Sequence, residues 1–203
     1  MTSTLPGPTT CATNSPTRFA VFCGSSEGRY SLYTQVARAT GALLAAAGID
    51  IVYGGARIGL MGALADAALA SGGRVTGIIP EHLNRPRIVH PALTGLEIVA
   101  DMPARKARML QLADAILVLP GGLGTLEEMA EVWSWTQLGL HSKPIAMLNT
   151  AAFYDHFLTF LRSAVHTGFV AAPDLDRLMV GTDPAQLTTD VLARLAVTEV
   201  PAW

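Results

Sequence analysis

Short, uninterrupted apolar segments alternate with longer helical patterns along almost the whole chain. The apolar segments predict strands at 18–23, 49–55, 74–80, 96–100, 115–122, 143–149 and 176–181. The intervening patterns predict helices at 30–48, 58–73, 102–113, 125–140, 151–168 and 183–196. A parallel strand with helices on both faces is buried on both sides, so it is a continuous apolar run. The alternation therefore predicts an α/β fold built on one parallel sheet.

The composition narrows the kind of protein further. Half of the 203 residues are hydrophobic, 15% are charged and the net charge is −2. This balance favours a compact globular protein without a nucleic-acid or membrane partner. Residues 1–16 are rich in Thr, Ser and Pro and lack the apolar core of a signal peptide. We therefore expect 1–16 to be a disordered tail and 17–203 to form a single domain.

The positions of the two cysteines argue against a disulfide framework and against a cysteine-ligated metal site. Cys11 lies in the expected tail and Cys23 ends an apolar run, so they do not form a disulfide framework. Neither cysteine has the Cys or His neighbours that a metal site needs, and the five histidines are not paired at ligand spacing. These observations predict no metal site and a reducing, cytoplasmic location.

Two glycine-rich turns follow predicted strands. In an open parallel sheet, ligands bind beyond the carboxyl ends of the strands. The turns "GGARIGLMG" (54–62) and "PGGLGT" (120–125) each lead from a strand into a helix, although neither matches a dinucleotide or P-loop fingerprint. Glycine lets backbone N–H groups approach an anion at a helix start. Tight turn packing explains one such turn equally well, but two neighbouring turns favour a ligand that carries a phosphate.

Charged residues next to these turns have two interpretations. Thr125 and Glu128 have the T-x-x-E spacing of a capping box, in which Thr125 would cap the helix. Glu127 would then be an ordinary solvated residue of the first turn. The segment "RKAR" (105–108) begins a helix, where cations are mildly unfavourable. It is either a solvated basic face or a contact for an anionic ligand.

Three ordered motifs point to one family. They are "YGGARIGLMG", "DMPARK" and "PGGLGTLEE", and the similarity extends to "AVFCGSS" and "WSWTQLGLHSKPIAMLN". On these segments the chain resembles the Lonely Guy (LOG) family of cytokinin-activating phosphoribohydrolases over residues 18–196. The resemblance implies a Rossmann-like, doubly wound sheet and a homodimer or a larger assembly of dimers. It also implies cofactor-free hydrolysis of the N-glycosidic bond of an N6-substituted AMP, giving the free base and ribose 5-phosphate.

The resemblance also implies roles for single residues. Arg105 and Glu128 take the catalytic positions. The positions expected to contact substrate are Gly54, Gly55, Arg105, Lys106, Gly121, Gly122, Leu123, Gly124, Thr125, Leu126, Glu127 and Ser134. Two residues depart from the family pattern, because Pro103 stands where many relatives have His and Arg87 where relatives often have Glu. The Arg87 departure concerns recognition of the base or its substituent.

The chemistry of the residues fits this assignment. Breaking a ribosyl C–N bond develops oxocarbenium-like charge on the sugar, which a carboxylate such as Glu128 stabilises. Arginine seldom releases a proton, so we expect Arg105 to bind and polarise the substrate. Phosphate would lie on the N–H groups of 121–125, with Glu128 one helical turn further on. Three alternatives remain open: a nucleotide-binding protein without activity, a general AMP or purine nucleotide hydrolase, and a purely structural role.

Overall fold

In a computed structural model of the protein, residues 16–198 are described. The expected tail therefore lies outside the described residues apart from Pro16, and Cys11 lies outside them too. The strands are β1 Arg18–Phe22, β2 Asp50–Tyr53, β3 Val75–Pro80, β4 Gly95–Val99, β5 Ala115–Val118, β6 Ile145–Leu148 and β7 Leu178–Gly181. The helices are α1 Ser31–Ala46, α2 Gly59–Ala70, α3 Met102–Leu112, α4 Leu123–Gln137, α5 Asp155–His166, α6 Ala172–Asp176 and α7 Pro184–Thr198.

The strands form one sheet in the order β4-β3-β2-β1-β5-β6-β7, and every described pairing is parallel. Phe19 of β1 is paired with Ile51 of β2 on one side and with Ala115 of β5 on the other. The chain thus winds outward from β1 in both directions, which confirms the predicted doubly wound sheet. Its topological switch point lies between β1 and β5, where ligands bind in such folds.

Two hydrophobic layers cover the faces of the sheet because successive strand residues point to opposite sides. Phe19 and Val21 belong to one layer, together with buried side chains of α1, α2 and α7 that include Leu44, Leu64 and Val191. Ala20 and Phe22 belong to the other layer, together with buried side chains of α3, α4 and α5 that include Met109, Met129 and Leu158. α3 and α4, which carry the expected catalytic residues, are therefore anchored on the same face.

All of the predicted strands and helices are present, although the predicted helix 151–168 is divided into a 3-10 turn at Thr150–Ala152 and α5. Two short helical segments were not predicted, the 3-10 turn Glu81–Leu83 and the five-residue helix α6. Segments this short bury too few residues to leave a periodic apolar pattern. No helix of the described range is long and apolar enough to cross a membrane.

Gly59 shows how closely the loops at the switch point approach each other. Its φ is +60°, and a Cβ there would lie 2.3 Å from the carbonyl carbon of Ser25. Gly72 has a similar φ of +78° but nothing within 4 Å of a Cβ. We expect Gly72→Ala to lower the free energy of unfolding by about 1–2 kcal/mol, from backbone strain alone. Gly59→Ala should cost roughly 2–5 kcal/mol because a backbone clash is added.

Urea unfolding of both variants measures this difference. Equal costs at the two positions would show that the loops following β1 and β2 separate easily, and that Gly59 is needed only for its backbone conformation.

Candidate active site

The loops that follow β1, β2 and β5 meet at the switch point. The N–H of Gly24 donates to the carbonyl of Pro120 at 3.0 Å, and the carbonyl of Gly24 accepts from the N–H of Leu60 at 3.0 Å. These bonds tie the end of β1 to the glycine turn after β5 and to the start of α2. Beside them lies a cavity of about 240 Å³, lined by Gly24, Ser25, Ser26, Glu27, Gly28, Tyr33, Leu60, Pro120, Gly121, Gly122 and Phe153.

The start of α3 positions Arg105 and Lys106. Asp101 is the N-cap residue, and its side chain accepts from the N–H of Ala104 at 2.8 Å. Pro103 lies in the first turn, where its missing N–H costs nothing and its fixed φ suits a helix. Arg105 and Lys106 follow one turn later and are buried. The departure at Pro103 is therefore compatible with the helix that presents Arg105.

Arg105 and Glu128 form a buried ion pair. The Nη2 atom of Arg105 lies 3.3 Å from Oε1 of Glu128, and each side chain is only 9% exposed. Gly54 makes room for the guanidinium, because a Cβ at that position would lie 1.7 Å from Nη2. Nε of Arg105 is buried and has no hydrogen-bond partner among the described residues. A buried donor without a partner is unusual in a native protein and is a ready contact for a ligand.

Burial also sets the protonation of groups near this pair. It raises the pKa of Glu128, and the nearby charge of Arg105 offsets only part of that rise. Burial raises the pKa of Cys23 well above that of an ordinary thiol, and the charge of Glu128 adds to the effect. Cys23 therefore stays a thiol at neutral pH, which excludes it as a nucleophile. Among residues 16–198, no three or more His, Cys, Asp or Glu side chains are grouped to hold a metal.

The capping-box interpretation of Thr125 and Glu128 is wrong. α4 begins at Leu123 with Gly122 as its N-cap, so Thr125 is already the third residue of the helix. The N–H of Leu126 donates to the carbonyl of Gly122 at 3.1 Å. The first N–H groups of α4 have no partner within the helix and converge on the glycine turn. Glu128 is not needed as a cap, and it faces Arg105 instead.

The segment 105–108 is not a solvated basic face. Lys106 is buried, and its ammonium group contacts the carboxylates of Glu127 and Glu131 on α4. Burial lowers the pKa of Lys106, but the hydrogen bonds that its ammonium group donates to these two carboxylates outweigh burial and raise the pKa. Arg108 binds Glu97 through Nε at 2.6 Å and Nη2 at 3.0 Å. The carboxylate of Glu127 is thus paired with a buried cation, which it shares with Glu131.

The expected substrate contacts fall into two groups. Thr125 is buried beside Gly121, where a Cβ would lie 2.1 Å from the Thr125 hydroxyl oxygen, and nothing lies within 4 Å of a Cβ at Gly122 or Gly124. Leu123 is 87% exposed at the helix start. These residues are continuous in the chain with Glu127 and Glu128, which contact Arg105 and Lys106 of α3, and Gly54 lies against Arg105.

Other expected contacts lie away from this turn. Gly55 has a φ of +77°, and its carbonyl accepts from the N–H of His90 at 2.9 Å, so it holds a loop in place. Leu126 is partly buried against the second hydrophobic layer. Ser134 lies nine residues beyond Thr125 on α4 and donates to the carbonyl of Glu131. At 1.5 Å per residue, Ser134 is about 14 Å along the helix from Thr125.

The similarity to known proteins is extensive. A family model described as "Possible lysine decarboxylase" matches residues 61–191. The chain is 46% identical to the cytokinin riboside 5'-monophosphate phosphoribohydrolase of Rhodococcoides fascians over 169 residues, which cover 83% of this chain and 85% of that protein. The chain belongs to the LOG family. It is also 43% identical to the protein of Oryza sativa subsp. japonica named cytokinin riboside 5'-monophosphate phosphoribohydrolase LOG, covering 83% of this chain and 69% of that protein.

Solved structures support the fold of this LOG-family chain. The molybdenum cofactor binding protein of the phototrophic bacterium Rippkaea orientalis matches with a TM-score of 0.68 at 19% identity, over 90% of this chain and 99% of that one. The molybdenum cofactor carrier protein of Chlamydomonas reinhardtii matches with a TM-score of 0.68 at 18% identity, over the same shares. At these identities the likeness concerns the fold alone, and the expected Rossmann-like fold is confirmed.

Neither lysine of the chain supports the decarboxylase description of the family model. The chain has two lysines, Lys106 and Lys143. Lys106 is paired with two carboxylates, and Lys143 donates to the carbonyls of Leu110 and Ala113. Neither ammonium group is presented to the cavity at the switch point.

Sequence reasoning missed two aromatic residues of this LOG-family site. Tyr33 of α1 and Phe153, just before α5, line the cavity and contact each other at a centroid distance of 5.6 Å. Ala151 and Ala152, immediately before Phe153, have φ values of 51° and 59°, which are strained for alanine. The next residue, Tyr154, donates its hydroxyl to the carbonyl of Leu119 at 2.7 Å. The glycine turn and the Phe153 segment are therefore held together.

Proposed function

We propose that this protein hydrolyses the N-glycosidic bond of N6-substituted AMP, releasing the free cytokinin base and ribose 5-phosphate. One observation supports the proposal most strongly. A buried Arg–Glu pair with an unpartnered guanidinium nitrogen lies beside the open N-terminus of α4. A protein that only binds an anion gains nothing from a buried carboxylate next to that anion, whereas bond cleavage at a sugar requires one. The curated relatives carry the name of the same activity.

The two ends of the site suit opposite charges. We assign the phosphate to the N–H groups of the turn 121–125, where the helix start favours an anion. Glu128 then faces the ribose, one helical turn further along α4. The positive charge of Lys106 offsets the carboxylate of Glu127, so the phosphate is not repelled by it.

The reaction follows from this placement. The C1′–N9 bond breaks with its electron pair going to the base, and the carboxylate of Glu128 stabilises the positive charge left on the sugar. Arg105 hydrogen-bonds to the substrate through Nε and polarises it. The oxygen of a water molecule adds to C1′, and the proton it loses balances the one that the base gains. The reaction consumes only water, and no cofactor enters it.

The pH dependence follows from the burial of Glu128. The carboxylate must be ionised to stabilise the sugar cation, and burial raises its pKa. Activity should therefore be lost as the pH falls through a value above the usual range of a glutamate. The profile of kcat against pH measures this, and Glu128→Asp should move the acid limb. An acid limb at an ordinary glutamate pKa, unmoved in Glu128→Asp, would assign the limb to another group.

Turnover of AMP and N6-isopentenyl-AMP, compared by product formation, tests the substrate class. Preferred release of base from the N6-substituted nucleotide supports the proposal. Equal release supports the alternative of a general AMP hydrolase. That alternative is open for this chain because its exposed Arg87 stands where relatives often have Glu. No release from either nucleotide, with binding retained, supports a nucleotide-binding protein without activity.

We also propose a cytoplasmic homodimer, or a larger assembly of dimers, as the resemblance implies. Ser134 lies about 14 Å from Thr125 along α4, so a second copy with an antiparallel α4 would bring its own Ser134 close to the turn. Leu138 and Leu140 follow the end of α4 and are 70% and 69% exposed in the single chain. Large apolar side chains exposed in this way suit a surface that a partner covers. Cys23 is a free thiol, as is usual for proteins of a reducing compartment.

Light scattering measures the assembly. The wild type should have the mass of a dimer or a multiple of it, and Leu138→Asp should be a monomer because it places a charge in the apolar contact. Phe169→Asp, at another exposed apolar position, is the matched control. A monomeric wild type, or a Leu138→Asp variant that keeps its mass, would contradict the proposal.

A further inference from the structure

A second cavity lies at the opposite edge of the sheet from the catalytic pair. It has a volume of about 600 Å³, which is within the range of small-molecule sites. We call it the distal cavity, and it is lined by Thr136, Gln137, Gly139, His141, Ser142, Lys143, Pro144, Arg177, Met179 and Arg194. Pro144 and Arg177 directly precede β6 and β7, so the cavity opens at the amino ends of the strands.

The ionisable residues of the distal cavity are all basic. They are His141, Lys143, Arg177 and Arg194, and none of the described lining residues is acidic. This is a local concentration, because the whole chain has 14 Lys and Arg against 16 Asp and Glu. Guanidinium groups bind phosphate oxygens in pairs, with better geometry than any other side chain. We propose that the distal cavity binds a small anion that carries a phosphate group.

His141 lines the distal cavity as a neutral side chain whose ring is held by hydrogen bonds. Its Nε2 donates to the carbonyl of Val132 at 2.8 Å, while its Nδ1 accepts from the N–H of Lys143 at 3.2 Å. Both ring nitrogens are thus engaged in the neutral form. Burial lowers the pKa of His141, which agrees with that form. The positive charge of the cavity therefore comes from Lys143, Arg177 and Arg194.

Lys143 and Arg177 each keep donors for a ligand. The ammonium group of Lys143 donates to the carbonyls of Leu110 and Ala113, which leaves one of its three protons. Arg177 is half exposed and contacts Asp174 through Nη1 at 3.5 Å, which leaves its other N–H groups. Burial lowers the pKa of Lys143, and a bound anion would relieve that unfavourable state of the buried ammonium.

The position of the distal cavity separates it from the catalytic turn. α4 carries Glu128 in its second turn and reaches the cavity with Thr136 and Gln137 at its end. α3 carries Arg105 near its start, and Lys143 holds the carbonyls at its end. The two catalytic helices therefore span the distance between the sites, and each site has its own set of cations.

Backbone amide NMR of the full ¹⁵N-labelled chain distinguishes the sites. The amides of Gly139 and Ser142 report on the distal cavity, and those of Gly122 and Gly124 report on the catalytic turn. We expect inorganic phosphate to shift Gly139 and Ser142. Arg177→Gln should weaken that response roughly tenfold and leave the Gly122 and Gly124 response unchanged. Arg162→Gln, at an exposed position on α5, removes the same charge elsewhere and should change neither response.

Ribose 5-phosphate and chloride are the two further probes of this experiment. Ribose 5-phosphate that shifts Gly139 at lower concentration than inorganic phosphate identifies a phosphate ester as the ligand, and the reverse order identifies the free ion. The proposal is overturned if phosphate leaves Gly139 and Ser142 unmoved, if chloride at equal ionic strength moves them equally, or if Arg177→Gln responds like wild type. A failure of hydrolysis would leave these shifts in place, because they do not depend on Glu128.

Discussion

Replacement of Glu128 by Gln is expected to lower kcat for N6-isopentenyl-AMP roughly 10²–10⁴-fold. The amide keeps the size of the side chain and can still accept a hydrogen bond from Arg105, which lies 3.3 Å away in the wild type. It removes only the negative charge that stabilises the sugar cation. The KM should change little, because we assign the phosphate to the start of α4 and not to Glu128.

Glu97→Gln is the matched control for this variant. Glu97 is also a carboxylate paired with an arginine of α3, but it binds Arg108 and lies on β4. It should keep the activity of the wild type. If Glu128→Gln retained near-normal kcat with an unchanged fold, the carboxylate would not stabilise the transition state, and the catalytic assignment would be wrong.

Replacement of Arg105 by Met is expected to affect both activity and stability. It removes the group that polarises the substrate, and it also leaves the buried carboxylate of Glu128 without its partner cation. Breaking a buried ion pair from one side costs about 3–5 kcal/mol, so the free energy of unfolding should fall by about that amount. The double variant Arg105→Met/Glu128→Gln should recover part of this loss, because no charge remains buried.

The sign of the pH dependence separates this mechanism from lost packing. Without Arg105, the pKa of Glu128 rises further above that of the unfolded chain, so the folded state binds the proton more tightly. The stability of Arg105→Met relative to wild type should therefore improve as the pH falls. Arg108→Met, whose partner Glu97 has a side chain that is 39% exposed, should lose much less stability. A pH-independent deficit in Arg105→Met, equal to that of the double variant, would indicate packing alone.

Much of the fold was predictable from the chain alone, because buried parallel strands leave continuous apolar runs and glycines mark the ends of helices. The strand preceding the turn 120–125 was the clearest of these signals, and it leads directly to the site. The ordered motifs around Arg105 and Glu128 placed both residues at neighbouring helix starts. The sequence could not show that they meet, since that contact depends on how α3 and α4 pack on one face of the sheet.

The errors have physical causes as well. The spacing of Thr125 to Glu128 fits a capping box, but the N-cap of α4 is Gly122, three residues before Thr125. Lys106 was ambiguous because sequence spacing does not reveal a partner on another helix. Tyr33 and Phe153 escaped notice because they are 120 positions apart in the chain and meet only across the top of the folded sheet.

The ion pairs of Glu127 and Glu128 explain how a turn that we assign to phosphate can be followed directly by two carboxylates. Glu127 is paired with a buried lysine, and Glu128 is withdrawn from solvent beside a buried arginine. Each of these two carboxylates is paired with a cation on α3, and Lys106 also contacts Glu131. In the proposed reaction, the open N–H groups of α4 bind the phosphate while Glu128 acts on the sugar.

The central claim is tested most directly by hydrolysis of N6-isopentenyl-AMP in H₂¹⁸O, followed by mass spectrometry of the products. Cleavage of the N-glycosidic bond predicts free base and ribose 5-phosphate in equal amounts, with the heavy oxygen on the sugar. Heavy oxygen in inorganic phosphate, with the nucleoside as the other product, would instead show phosphate ester hydrolysis and contradict the proposed function.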